Sequence, residues 1–363
     1  FWDTETSGKT TSSGGSGETT TFMKTQSTFT DAGWDFAGES TNGNNDYWNI
    51  ASYLNDGYPV LAWQFYPPTD SIAGNALEFN GIDEYVNVGN NESFDVGNVL
   101  TIEAWIKPGD KSTRQGIFST SFTNSAGAFR LEIGSANGGT KRVAVYGINT
   151  WVAQTGDNSY INDQWTHIAY VRTGSGAGTH TIYVNGIPQA LISDSPYEFI
   201  DNSSNKVIGS GTSGDQFFKG VMDEVRIWNV ALTQQQIRQN MYRTLNGNET
   251  GLVSYYQFNV ASDTKTNDNI SLNNGTLVNL DSDAFKASTA PVPFISISDG
   301  NWINTANWQN GQGYPVHAWS RVKINSDITL EENKEVIEVI INEGKNLTVN
   351  PLYDLIISGE GEN

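Results

Sequence analysis

The chain has 363 residues, enough for two or three domains with separate cores. Twenty basic against forty acidic residues give a net charge of −20, which repels nucleic acid and anionic membranes and suits divalent cations or neutral partners. There is no cysteine, so the chain, were it secreted, would be held by apolar cores, with or without bound metals, rather than by disulfides.

The 37 glycines and 11 tryptophans favour turns and short strands over helices. No apolar run reaches the roughly 20 residues that span a bilayer, so membrane insertion is not expected. The sequence opens on Phe1-Trp2-Asp3 without an initiating methionine or leader pattern and is expected to be an internal piece of a longer polypeptide.

In chain order, residues 1–67 form the first expected domain. Residues 8–21 (GKTTSSGGSGETTT) are low in complexity and predicted to be flexible. Little helical periodicity follows, but aromatics recur among small polar residues at Phe29, Trp34, Phe36, Trp48, Tyr58 and Trp63. Such a set can cap the open end of a stacked repeat, or alternatively offer a sugar-stacking platform. The phrases resemble the closing unit of GLUG-type repeat arrays, which build β-solenoids in large bacterial surface adhesins. Pro67-Pro68 interrupts strand pairing and marks a boundary.

Residues 68–290 form the second expected domain. Leu77 and Phe79, Tyr85, then Ile102, Ala104 and Ile106 alternate with period two, as in half-buried strands. An acidic turn, Asn80-Gly81-Ile82-Asp83-Glu84, separates the first two strands. Further strands are predicted at residues 101–107, 116–121, 128–133 and 142–146, with Gly138-Gly139 as a turn. A hairpin follows in QWTHIAYVR and HTIYVNG, then a second acidic strand, FKGVMDEVRIW, at residues 218–228.

One helix is predicted over residues 233–245. Thr233 and Gln236 form a capping box, and Ile237, Met241 and Leu245 make a narrow apolar stripe. The acidic turn, the hairpin and the MDEVRIW strand, in this order, resemble the concanavalin A-like, laminin G-like jelly roll of the LamG/pentraxin type across about residues 71–283. GLVSYYQF and GTL at residues 251–277 resemble a segment that accompanies such modules.

Residues 291–363 change character. GNWINTANW precedes short alternating strands with apolar clusters about ten residues apart, as expected where a β-solenoid starts to stack. The phrase resembles repeats of secreted bacterial proteins. YPVLAW at 58–63 and YPVHAW at 314–319 echo each other, consistent with similar junctions on both sides of the central domain. The expected class is all-β: a jelly-roll sandwich between two β-solenoid-like segments.

Catalysis is not expected. The Glu-x-Asp-x-x-Glu spacing that puts alternate carboxylates of a glycosidase on one strand face is absent, and Asp223 and Glu224 are adjacent, hence predicted on opposite faces. There is no nucleophile elbow or phosphate loop, and three histidines are too scattered for a zinc site; His167 lies mid-strand and reads as a packing residue.

Calcium takes about six to eight oxygens, mixing carboxylates with turn carbonyls. The turn at Asn80 offers both, and Asp223 would arrive from a neighbouring strand. The resemblance implies a structural calcium on Asn80, Gly81, Asp83 and Asp223; the other reading is that these carboxylates only cap turns and strand ends. For ligands, Trp151 with Tyr146 and Tyr160 lies in a glycine-rich span outside a clear strand pattern, which suggests an exposed stacking surface; burial of Trp151 in the sandwich is the alternative.

The resemblance implies a secreted or cell-surface bacterial module that binds a glycan, a surface polysaccharide or a glycoprotein in adhesion. A purely structural spacer in a giant adhesin, or an accessory region of a polysaccharide-degrading enzyme, are the other functions weighed.

Overall fold

The computed structural model describes residues 1–7, 9, 11, 16–34, 48–50, 58–61, 74–91, 94, 97–121, 128–134, 140–200, 204–211, 216–260, 262–270, 273–309 and 313–359. The chain divides into two compact units, Phe1–Asp70 and Ser71–Asn363. The proline link at 66–70, the turn at 138–139 and residues 8, 10 and 12–15 of the low-complexity stretch lie outside the described residues.

In the first unit, β1 (Trp2–Asp3) pairs in parallel with β2 (Gly17–Glu18), and β3 (Trp48–Asn49) pairs antiparallel with β4 (Val60–Leu61). Two short helices, α1 (Thr20–Met23) and α2 (Gln26–Thr30), appear where periodicity predicted none. Local capping explains the first: the Thr19 hydroxyl accepts from the Phe22 amide at 3.4 Å. Of the spaced aromatics, Phe36 and Trp63 lie outside the described residues, while Phe29 is buried and joined by other rings. Its ring lies 5.1 Å from Phe1 and 5.2 Å from Trp34, and Trp34 lies 4.3 Å from Trp48.

The second unit is built on antiparallel strands with alternating apolar residues. In chain order these begin with β5 (Asn75–Asn80), β6 (Tyr85–Gly89), β7 (Leu100–Pro108), β8 (Gln115–Ser119), β9 (Arg130–Ile133) and β10 (Val143–Gly147). Next come β11 (Thr150–Thr155), β12 (Thr166–Arg172), β13 (His180–Val184), β14 (Ile187–Pro188), β15 (Leu191–Asp194) and β16 (Lys206–Ile208). β17 (Lys219–Trp228), β18 (Leu252–Tyr256), β19 (Lys265–Thr266), β20 (Gly275–Val278) and β21 (Phe285–Ala287) complete the set.

They form two sheets. One runs β14-β13-β12-β7-β17-β5-β21, with β18 joined to β17; the other is nine-stranded, β15-β11-β10-β9-β8-β16-β6-β20-β19. Alternate residues of both, among them Phe79, Ile102, Ile106, Leu131, Val145 and Tyr170, meet in one core.

The other face of β7, β12 and β17 is also buried. Helix α3 (Gln234–Met241) lies over it and packs Ile237 with Ala169, Val171, Trp228 and Tyr255. The capping box forms as expected: the Gln236 amide donates to Thr233 Oγ1 at 3.2 Å and the Thr233 amide to Gln236 Oε1 at 2.9 Å. The helix stops at Met241, short of the predicted residue 245. Buried Arg226 satisfies carbonyls at this end, donating to Asn240 O at 3.0 Å and Arg243 O at 2.6 Å.

After Pro291 the strands turn parallel. β22 (Phe294–Ile295), β24 (Arg321–Ile324) and β27 (Glu338–Ile341) stack as one ladder, and β23 (Gly300–Asn301), β25 (Ile328–Leu330) and β28 (Leu347–Val349) as a second. β26 (Lys334–Val336) and β29 (Leu355–Ile357) make a third. Successive strands in a ladder are a coil apart, which is a β-solenoid arrangement. The change at 291 is one of architecture and not a gap in packing. Trp105, Met241 and Tyr242 share a core with Val292, Phe294, Trp302, Trp308 and Val322.

Candidate functional site

The outward face of the nine-stranded sheet carries the most chemically distinctive group of side chains. In β9, Leu131 and Ile133 point into the core, so Arg130 and Glu132 point away from it. In β10, Val143 and Val145 point inward, so Tyr146 points outward. Registry then aligns one rung across four strands: Trp151 opposite Tyr146, Tyr146 opposite Arg130, and Arg130 opposite Ser119.

Trp151 therefore sits inside a strand, contrary to the expectation that it lies outside one. A two-residue loop, Ile148-Asn149, joins β10 to β11, with Asn149 in the left-handed region at φ 55°. Asparagine tolerates that conformation, so no glycine was needed to announce the hairpin.

The rings of Tyr146 and Trp151 meet edge to face, with centroids 4.8 Å apart, and both are half-buried. The Arg130 guanidinium lies 4.2 Å over Tyr146, and that of Arg114 lies 5.2 Å from Tyr146 and 5.5 Å from Trp151. Glu132, fully buried, ties the two arginines: its carboxylate is 2.6 Å from Arg130 Nε and 3.5 Å from Arg114 Nη1. Burial raises the Glu132 carboxyl above the usual range, against the opposing pull of Arg130 and Arg114. Arg114, Arg130 and Glu132 were not singled out from the sequence, although the alternation Arg130-Leu131-Glu132-Ile133 already puts the charged pair on one face.

The structure does not bring Tyr160 to this face. Tyr160 is buried in the sandwich core, and burial, with Asp110 nearby, pushes its hydroxyl up to about 12. The chain turns inward after β11, held by the Ser159 amide on Lys141 O at 2.7 Å.

The residues expected to hold calcium are also not assembled. Asn80 pairs with Lys219, and Asp223 lies four residues further along β17. There it is 1% exposed, accepting from Ser288 Oγ at 2.5 Å and from the Glu224 amide at 2.8 Å. At the turn, Asn80 Oδ1 accepts from the Ile82 and Asp83 amides, while Asp83 accepts from Asn80 Nδ2 at 3.0 Å and Asn279 Nδ2 at 3.2 Å. The Gly81 carbonyl, the backbone oxygen a cation would need, accepts from Lys111 Nζ at 2.9 Å. This donor set does not fit calcium, because its oxygens already serve internal donors and an ammonium occupies the cationic position. Among the described residues no group of three or more His, Asp or Glu side chains could hold a metal ion.

A second concentration of charge lies beneath α3. Asp223 and Glu224 share a face, not opposite faces as strand alternation implied, because β17 bulges between Asp223 and Arg226 and Glu224 takes φ 52°. Arg226 lies 2.6 Å from Glu224 and 3.4 Å from Glu103. His167, packed 5.3 Å from Trp105, is held well below its ordinary value by burial and by Arg226. These groups are at most 2% exposed, so they serve the fold and meet no substrate.

Residues 80–238 match the family profile described as the concanavalin A-like lectin/glucanases superfamily. With the two facing sheets, this gives the central domain a concanavalin A-like fold, followed by the β-solenoid. Among solved structures, the chain is similar to a Bacteroides ovatus protein provisionally assigned as carbohydrate binding, at 25% identity and TM-score 0.46, over 60% of this chain and 61% of that one. It is also similar to domain 4 of a GH43 extracellular arabinanase from Geobacillus stearothermophilus, solved with arabinotriose, at 22% identity and TM-score 0.36, over 47% and 77%. A SAP-like pentraxin of Limulus polyphemus matches at 18% identity and TM-score 0.35, over 47% and 82%. The chain thus spans less than two thirds of the Bacteroides protein. No curated protein matches.

Proposed function

We propose that this chain is a non-catalytic glycan-binding module that serves adhesion at a bacterial surface or in a secreted protein. The observation that carries the reading is the rung Trp151–Tyr146–Arg130 on the outward face of the nine-stranded sheet. Trp151 supplies an apolar surface for the C–H face of a sugar, and the arginines supply fixed N–H donors for its oxygens. The family description, which names lectins alongside glucanases, supports the same class. Glu132, the carboxylate beside the rung, is held between two arginines, and Asp157, which reaches this face through Arg142, is tied to that arginine. Glycoside hydrolysis needs two carboxyl groups free to act across the scissile bond, so a face whose carboxylates are paired with arginines is suited to holding a sugar rather than cleaving it. Calcium has no part in this reading.

The test is a glycan array probed with the full chain and with Trp151→Ala. Binding to a defined set of glycans, lost in the variant while its melting temperature stays within a few degrees, is the expected result. Silence of the full chain across the array removes the glycan reading and leaves the structural spacer, which the continuous core between jelly roll and solenoid supports.

A further inference from the structure

Resting on that reading, we infer that the glycan is anionic, and that Arg114 receives the carboxylate or sulfate of a uronic acid or sulfated sugar beside Trp151. The geometry of the two arginines leads there. Arg130 is 5% exposed and spends its Nε donor on Glu132 at 2.6 Å, so it sets the electrostatics of the face from below. Arg114 is different. Its side chain is 21% exposed, and one N–H reaches Glu132 at 3.5 Å. A guanidinium has five N–H donors, and no other acceptor for those of Arg114 occurs among the described residues.

The ring contacts of Arg114 with Tyr146 and Trp151 hold its planar fork in place over the rung. A fork held this way is suited to two parallel hydrogen bonds from a carboxylate or sulfate. Arg130, meanwhile, lies over the Tyr146 ring, leaving Trp151 as the freer stacking surface. Arg114, Arg130 and Glu132 together sum to one positive charge, in a chain whose net charge is −20.

That contrast makes the inference specific. A chain of this acidity repels polyanions at long range, so an acidic polysaccharide that it retains is held by a local cation and not by general ion exchange. At physiological ionic strength the screening length is about 8 Å, which mutes the distant carboxylates and leaves contact-range guanidinium bonding in force.

Affinity measurements on the full chain in about 0.15 M salt test this with paired polymers. One pair is polygalacturonate and its carboxyl-reduced neutral form; the other is a sulfated polysaccharide and its desulfated form. The expected result is about 10- to 100-fold tighter binding to the acidic member of one pair, which identifies carboxylate or sulfate as the anion. Arg114→Gln should abolish that preference while keeping residual neutral binding, and Trp151→Ala should weaken both members. Equal affinity for acidic and neutral members overturns the inference and leaves glycan binding standing. Preference for the acidic member that survives in Arg114→Gln also overturns it, since the anion then binds elsewhere. Absence of binding to all four polymers, together with a silent array, removes both readings. The comparison of polymers on the unsubstituted chain does not depend on any variant folding.

Discussion

Asp223 shows how burial turns an acidic strand into a pH-dependent one. Desolvation raises its carboxyl well above the usual range, and the neighbouring Glu224 carboxylate adds to the effect; Glu103 and Glu224 are raised as well. A carboxyl with a raised value in the fold keeps its proton where the unfolded chain has lost it. The stability it contributes is therefore fully present below the ordinary carboxylate range and is lost as pH rises through the raised value. Asp223→Asn supplies permanently the neutral partner that Ser288 and the Glu224 amide face. Thermal melts from acidic to mildly alkaline pH should show the unsubstituted chain losing melting temperature as pH rises, with a shallower decline in Asp223→Asn. Parallel curves would mean that Asp223 binds its proton equally in the folded and unfolded chain, so that its burial does not set the pH dependence.

At the scale of elements, the turn between β5 and β6 is held by a lysine. Lys111 Nζ donates to Gly81 O at 2.9 Å and to Phe217 O at 2.7 Å, joining the turn to the segment before β17. Lys111→Met keeps the aliphatic stem and removes the donors. A loss of about 1–2 kcal/mol is expected, since hydrogen bonds from charged donors are worth more than neutral ones but this group is only partly buried. The check is the denaturant midpoint at constant slope; an unmoved midpoint would show that water replaces the ammonium without cost.

Much of this level was legible in the sequence. Period-two alternation located β5, β7, β9 and β10 nearly to their ends, and the Thr233–Gln236 box located α3. What was not legible depends on partners distant in sequence. The bulge at Glu224 is set by pairing with β7, the end of α3 by Arg226 reaching its carbonyls, and the role of Lys111 by a contact with a turn 30 residues earlier. The face with Trp151 was half legible. Its aromatics stood out, but its arginines became meaningful only once the register of β8 to β11 was known.

At the scale of the whole second unit, the jelly roll and the first solenoid coils share one core. Trp105 belongs to a jelly-roll strand, yet its indole donates to Met241 O at 2.6 Å and its ring packs at 5.5 Å on Tyr242, which in turn lies 5.3 Å from Phe294 of the first coil. Gln309 Nε2 donates to Ser288 O at 3.0 Å across residue 290, and Trp165 Nε1 to Thr289 Oγ1 at 2.9 Å fixes the segment that leads into the seam. A fragment of residues 71–290 keeps both sheets of the sandwich but uncovers Trp105, Met241 and Tyr242. Exposing three large apolar side chains costs about 5 kcal/mol or more, which is of the order of a domain's whole stability. Calorimetry should therefore show residues 71–363 melting in one transition that includes the coils, and residues 71–290 melting far lower or exposing apolar surface to a hydrophobic dye. Two separate transitions in the longer chain, with the upper one unchanged in the fragment, would make the solenoid an independent appendage. In that case the sheet face with Trp151 would owe nothing to the coils, whereas a shared transition means that any load pulling on the coils is carried directly into the sheets that hold the candidate glycan site.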